Sequence, residues 1–345
     1  MTRPAAIPTA GVRRVLVRAP NWLGDTVMAI PTVRALRRGL PAAEMWCLGR
    51  WVVPILEGES AVDRLVEHPR DWAARVRLAG DLRRAGIDLA VLLPNSFEAA
   101  LHAWLGGARL RLGYAGDGRS ALLTHALPPP AGRRHQVAAY LDLLGPLGLD
   151  PVPSAPTLEP SPARRAEARR LLAGLAIAPA QRAVAIQLGA AFGPSKLWPA
   201  DRLAALAAAL ERDGTPAVFL GGRAAAPLLA AVERALARPP RSLVGADHPA
   251  LLPALLAEFA AVVAPDSGPA HVAAAVGVPV VALFGPTDPR LTGPAGPGHA
   301  VLWRRPPCAP CFQPVCPIDH RCLRAITVED VLAAVRERMP ARPGR

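Results

Sequence analysis

The sequence predicts an α/β protein built from two Rossmann-like domains, each a doubly wound parallel sheet, facing a central cleft. Three observations support that expectation. The chain has 345 residues, 51% of them hydrophobic, which is more than one core of ordinary size takes up. Short runs that are apolar throughout alternate with amphipathic helical patterns, as expected of parallel strands covered on both faces. The alternation is interrupted once, at 150–162, by the Pro-rich stretch "DPVPSAPTLEPSP", which reads as an interdomain linker.

In the first half, strands are expected at 12–18, 45–48, 62–66, 89–93 and 109–112, and helices at 25–38, 71–85 and 96–105. After the linker an amphipathic helix is expected at 163–175. Strands then follow at 183–188, 217–220, 243–244, 261–264 and 280–284, alternating with helices at 201–212, 224–237, 249–259 and 269–276. A last helix at 328–338 closes the chain, giving an expected division into 1–155, 156–326 and a C-terminal helix and tail, 327–345. In sheets of this kind ligands lie at the carboxyl ends of the strands, so the loops leaving those ends are where chemistry is sought.

Composition narrows the function classes. The net charge is +13, which invites a nucleic-acid reading. Residues 1–150 carry 19 basic and 13 acidic residues and the remainder 21 and 14, so the two halves stand at +6 and +7 with no basic tail. With 4% aromatic residues and no groove-reading motif, the charge suits anionic surfaces and phosphorylated substrates better than sequence-specific nucleic acid. All but one of the 40 basic residues are Arg, which makes the solitary Lys196 conspicuous. No run of 18 uncharged apolar residues and no secretory h-region follow the N-terminus, so a cytoplasmic protein is expected.

Four segments can carry chemistry. "RAPNWLGD", ending at Asp25, leaves the first strand and opens the first helix. There Gly24 permits close approach of a ligand, and Asp25 either accepts a proton from a substrate hydroxyl or merely favours the helix N-terminus. "QLGAAFGPSKLWP" leaves the first strand of the second domain; Gly189 and Gly193 allow a close loop, and Lys196 supplies a compact cation suited to a diphosphate. It is not a P-loop, because its glycines and lysine are in the wrong order. "APDSGPAHVAAA" runs from a strand end at Asp266 into a helix. The N–H groups of Ser267, Gly268 and Ala270, with the helix dipole, would cradle a pyrophosphate, and His271 would donate to it. The bland alternative makes Asp266 and Ser267 caps and His271 a packed core histidine. Finally, Cys308, Cys311, Cys316 and Cys322 cluster in the tail. Their spacing departs from the paired CxxC of zinc ribbons, so no metal site is expected, with a zinc cluster as the alternative.

Taken in order, "RAPNWLGDTVMAIPTVRALR", "GAAFGPSKLWP", "APDSGPAHVAAAVGVPVVALFGPTDP" and "CAPCFQPVCPIDHRC" resemble the lipopolysaccharide heptosyltransferases of glycosyltransferase family nine, its heptosyltransferase II branch in particular. The resemblance implies the GT-B fold, with acceptor held by the first domain and nucleotide-sugar donor by the second. It implies inverting transfer of L-glycero-D-manno-heptose from ADP-heptose to the heptosylated Kdo-lipid A inner core of lipopolysaccharide, with no required cofactor. Asp25 aligns with the family's base and Lys196 with its phosphate-contacting lysine, while Asp266, Ser267, Gly268 and His271 align with the donor loop. Arg18, Asn21 and Arg50 are expected to face the anionic acceptor, and the protein to work at the cytoplasmic face of the inner membrane. In one place the sequence departs from the family: "FLGGRAAAP" has Arg223 where some relatives carry a carboxylate that contacts the nucleoside. A transferase or epimerase for another nucleotide sugar is the competing reading.

Overall fold

The computed structural model describes residues 6–149, 151–177, 182–246 and 248–339. It divides into two compact units, Met1–Pro156 and Thr157–Arg345.

The first unit runs β1 (Arg14–Arg18), α1 (Leu23–Met28), α2 (Ile30–Gly39), β2 (Glu44–Gly49), α3 (Val52–Ile55), β3 (Arg64–Glu67), α4 (Trp72–Ala85), β4 (Leu89–Leu92), α5 (Phe97–Leu105), β5 (Leu110–Tyr114), β6 (His125–Leu127) and α6 (Gln136–Asp142). Its six strands pair in the order β3-β2-β1-β4-β5-β6, and every pairing is parallel. β1 and β4 are apolar because each lies mid-sheet with helices over both faces; Val15, Val17, Leu89 and Val91 are wholly buried, and burying each such side chain contributes about 1.5–3 kcal/mol. The single helix expected at 25–38 is two. Pro31, at the second position of α2, has no N–H to return to the preceding turn, and the break falls at Ala29. α4 starts where the Asp71 carboxylate accepts from Ala74 N–H and stops at Gly86, whose φ of 69° is left-handed.

The second unit runs α7 (Pro162–Gly174), β7 (Val184–Gln187), α8 (Ala200–Arg212), β8 (Ala217–Leu220), α9 (Ala226–Arg234), β9 (Arg241–Ser242), α10 (Leu252–Leu256), β10 (Ala261–Pro265), α11 (Gly268–Ala275), β11 (Val280–Phe284), α12 (Pro289–Thr292), β12 (Ala300–Trp303), α13 (Arg321–Arg324) and α14 (Val328–Arg338). The sheet order is β12-β11-β10-β7-β8-β9, again all parallel. Counted from its own first strand, this unit repeats the order of the first. α14 is not a separate tail. Its capping box joins Thr327 and Asp330, and Val331, Ala334 and Val335 pack with Ile186, Val263 and Val281 in the unit's core.

In both units the strand order reverses beside the first strand, between β1 and β4 and between β7 and β10. Those two switch points leave an open crevice at the strands' carboxyl ends, the usual ligand position of such sheets. Asp25 follows β1, while Lys196 and Asp266 follow β7 and β10.

Candidate active site

At the first switch point, Asp25 lies in the first turn of α1, half-buried. Its Oδ1 accepts a hydrogen bond from the Tyr140 hydroxyl at 3.4 Å. Burial, and next the Asp25 charge, push the Tyr140 hydroxyl well above its ordinary pKa, so it stays a neutral donor. Asn21, half-exposed in the same loop, is fixed from two sides. Its Oδ1 accepts from Arg18 at 2.8 Å, and its carbonyl accepts from the Trp51 indole at 2.9 Å.

Arg18 is placed differently from the expectation. As the last residue of central strand β1 it is 2% exposed, and its guanidinium is engaged by the Ala19 carbonyl and Asn21. Burial lowers its pKa to about 10, which leaves it charged at neutral pH. It is therefore a support beneath the loop and not a surface contact for an acceptor. Arg50, just past β2, is exposed.

Beside Arg18, the ligating atoms of His68, Glu98 and His102 lie within 4.8 Å of one another, which makes them the one metal-compatible group among the described residues. Burial, with Arg18 and His102 next, pushes His68 down to about 3, and burial lowers His102. The two neutral imidazoles hydrogen-bond each other at 3.3 Å, while Glu98 accepts from Arg75 at 2.7 Å. A divalent cation there would have to displace Arg75 and sit close to the buried Arg18 charge. The group reads as internal packing.

At the second switch point the loop after β7 is held by the cysteine-rich segment. Ser195 donates through its N–H to the Pro314 carbonyl at 3.1 Å and through Oγ to the Gln313 carbonyl at 2.6 Å. Gly193 has φ 150°, and a Cβ there would stand 2.2 Å from the Pro314 carbonyl oxygen, so only glycine fits. The following turn buries Lys196 to 8% exposure. Its Nζ lies 2.5 Å from Asp266 Oδ2 and 4.7 Å from the centre of the Phe192 ring. Asp266 also accepts from Thr287 at 2.7 Å and from Thr292 at 3.4 Å.

α11 begins directly behind. Ser267 occupies the N-cap without making a side-chain cap bond, and its Oγ is buried without a partner. The Ala270 N–H is committed to the Ser267 carbonyl at 3.1 Å. The expected three-amide cradle therefore reduces to Ser267 and Gly268, with Pro269 contributing none. His271 is buried, 6% exposed. At Gly189 a Cβ would meet only the tip of the Gln187 side chain, at 3.2 Å. A buried cation, two helix-start amides and a cluster of hydroxyls together can bind a diphosphate and hold a polyhydroxylated ring.

Thr287 and Thr292 were not singled out in the sequence. Thr287 follows β11 within "GPTD", and only the strand order, which puts β11 beside β10, brings it to Asp266. The four tail cysteines are free thiols and border a cavity of about 70 Å³ together with Ser195 and Pro286. Among the described residues no three of their sulfurs meet as a ligand set. Through the Gln313 and Pro314 carbonyls the segment clamps the Lys196 loop.

Two Rossmann-order parallel sheets in one chain are the architecture of GT-B glycosyltransferases, the class of the solved heptosyltransferase structures that this chain resembles. The chain belongs to glycosyltransferase family 9, the heptosyltransferases, whose family model matches residues 75–321. It is 31% identical to lipopolysaccharide heptosyltransferase 2 of Salmonella typhimurium, over 81% of this chain and 85% of that one. Identity to lipooligosaccharide heptosyltransferase 2 of Haemophilus influenzae is 30%, with the same two coverages. The solved structure of E. coli ADP-heptose LPS heptosyltransferase II superposes with a TM-score of 0.77 at 27% identity, covering 94% of this chain and 98% of that chain. The competing epimerase reading is not favoured by these likenesses.

Proposed function

We propose that the protein transfers L-glycero-D-manno-heptose from ADP-heptose to the heptosylated Kdo-lipid A inner core of lipopolysaccharide, inverting the anomeric centre. The acceptor hydroxyl attacks the anomeric carbon, the bond from that carbon to the diphosphate oxygen breaks, and the hydroxyl proton passes to Asp25. ADP leaves with the bonding pair, its negative charge met by Lys196 and the Ser267 and Gly268 amides, with His271 donating to a phosphate oxygen. Asp266 turns toward the heptose hydroxyls as the diphosphate takes over Lys196. The observation that carries this reading is the buried Lys196–Asp266 pair at the start of α11, in a chain of family 9.

Because fixed positive charge is already provided, the reaction needs no metal ion, and its rate in EDTA should match that without. The +13 charge favours peripheral contact with the anionic cytoplasmic membrane face; among the described residues no helix is long and apolar enough to cross a membrane. Asn21 and Arg50 are the acceptor-facing side chains of the first unit, and no specific nucleic acid is involved. A donor screen tests the reading. ADP-heptose at a hundred times its Kd should stabilise the protein by about 2.7 kcal/mol, with no comparable effect from UDP- or GDP-sugars. A preference for UDP or GDP would overturn the heptose assignment.

A further inference from the structure

We propose that Thr287 is a positioning residue for donor binding: its hydroxyl stays on the Asp266 carboxylate while Lys196 leaves it for the diphosphate, and so serves as the pivot on which Asp266 turns. This rests on the reading of Lys196 as the diphosphate contact. Three side-chain donors meet the Asp266 carboxylate. Lys196 Nζ at 2.5 Å and Thr287 Oγ1 at 2.7 Å share Oδ2, and Thr292 Oγ1 donates to Oδ1 at 3.4 Å. Asp266 and Thr287 are 7% and 6% exposed, so water does not stand in for a donor that departs.

The turn that carries Thr287 is fixed from several sides. β10 and β11 run parallel with Pro265 opposite Leu283, so the residues that follow the two strands emerge side by side. At Gly285 a Cβ would stand 2.8 Å from the Leu323 side chain and 3.1 Å from Cys322 Sγ, which marks how closely the turn lies against the core. The Pro286 carbonyl accepts from the Cys311 and Phe312 N–H groups at 3.0 and 2.8 Å. Asp288 then caps α12 by accepting from the Arg290 N–H at 3.0 Å, and that short helix brings Thr292 to Oδ1. Lys196 differs from both threonines, because its ammonium rides on a flexible four-carbon stem. One donor on Oδ2 is therefore held by the backbone, and the other can swing away.

In the free protein the ammonium meets Oδ2 with or without the hydroxyl. Once a diphosphate draws Lys196 off, Thr287 is the donor that stays on Oδ2, and without it the buried charge would be poorly met. The hydroxyl thus stabilises the loaded form more than the free form, which raises affinity for the donor.

The test is Thr287→Val, which keeps the branched shape and removes the hydroxyl, with ADP binding read by calorimetry. The Kd for ADP should rise about tenfold, near the lower end of what a bond to a charged group contributes, and Thr287→Ser should return it to within about twofold of the wild type. Thr292→Val removes the longer bond on Oδ1 and should raise the Kd about threefold; it carries the test should Thr287→Val fold poorly. In the Lys196→Met background Thr287 faces Asp266 alike with and without ADP, so Thr287→Val should add less than about twofold. Wild-type affinity in Thr287→Val, or in Thr292→Val where the first does not fold, would overturn the proposal. So would a Thr287→Ser protein as weak as Thr287→Val, or an undiminished effect of Thr287→Val in the Lys196→Met background. Wild-type affinity for ADP in Lys196→Met alone would instead overturn the reading of Lys196, so the two failures are separable.

Discussion

Replacing Lys196 with Met keeps the aliphatic stem over Phe192 and removes the ammonium that lies 2.5 Å from Asp266. The two side chains are 10% and 7% exposed, so water does not take over the lost partner. Breaking a buried pair by deleting one member costs about 3–5 kcal/mol. Asp266 keeps its bonds from Thr287 and Thr292, so its charge is not left wholly unmet and the second unit should lose an amount at the low end of that range, about 3 kcal/mol. The double variant Lys196→Met/Asp266→Asn, which leaves no uncompensated charge, should recover most of it. Hydrogen exchange at the amides of β7 and β10 reads this unit by itself, which matters in a two-unit chain where one midpoint is not a single free energy. The reasoning is refuted if the single variant costs less than about 1 kcal/mol, or if the double variant costs as much as the two single ones added.

The clamp on the Lys196 loop and the acid response of the first unit give two more tests. Gly193→Ala should raise the Kd for ADP at least about tenfold, because the loop must move off the Pro314 carbonyl to admit a Cβ and a 1.4 kcal/mol displacement suffices for that factor; calorimetry showing wild-type affinity would contradict the clamp. His68, pushed to about 3 in the folded protein, ionises near 6.5 when unfolded. The unfolded chain therefore gains a proton that the folded one refuses, and stability present above about pH 6.5 is lost as pH falls toward 3, by up to about 1.4 kcal/mol per pH unit. In His68→Gln the exchange-measured stability of β1 and β4 should fall less steeply between pH 7 and 4; an unchanged slope would show that the histidine does not carry the effect.

The sequence was most legible where strands are buried on both faces. β10 and β11 stand out as apolar runs, and Asp266-Ser267-Gly268 then marks a strand end passing into a helix. Edge strands were harder: β6 is only three residues, His-Ala-Leu, and β12, Ala-Val-Leu-Trp, is an apolar run of four that follows the Gly- and Pro-rich stretch at 293–298 and is only partly buried at the sheet edge. β9 is two residues long, Arg-Ser, and lies two positions before the expected site, because its polar residues give no apolar signal. Short helices such as α3, α12 and α13 complete only about one turn and display no periodicity. α6 is mostly apolar but starts behind "AGRRH", which reads as loop, and with it Tyr140 was missed.

At the site, local chemistry was readable and partnership was not. Lys196 is conspicuous because it is the one lysine, yet nothing local says that its ammonium meets Asp266 across 70 positions. Arg18 looks like any arginine at a loop, and its burial follows only from β1 lying between β2 and β4. The Ala270 amide looked available until the first turn of α11 tightened onto Ser267.

The central claim is that Asp25 takes the proton from the acceptor hydroxyl as heptose leaves ADP. Asp25→Asn keeps the shape and can still accept from Tyr140, but it has no basic carboxylate. Transfer from ADP-heptose should fall by about 10²–10⁴-fold with KM for the donor and the unfolding profile unchanged, whereas a kcat within tenfold of the wild type would contradict the account.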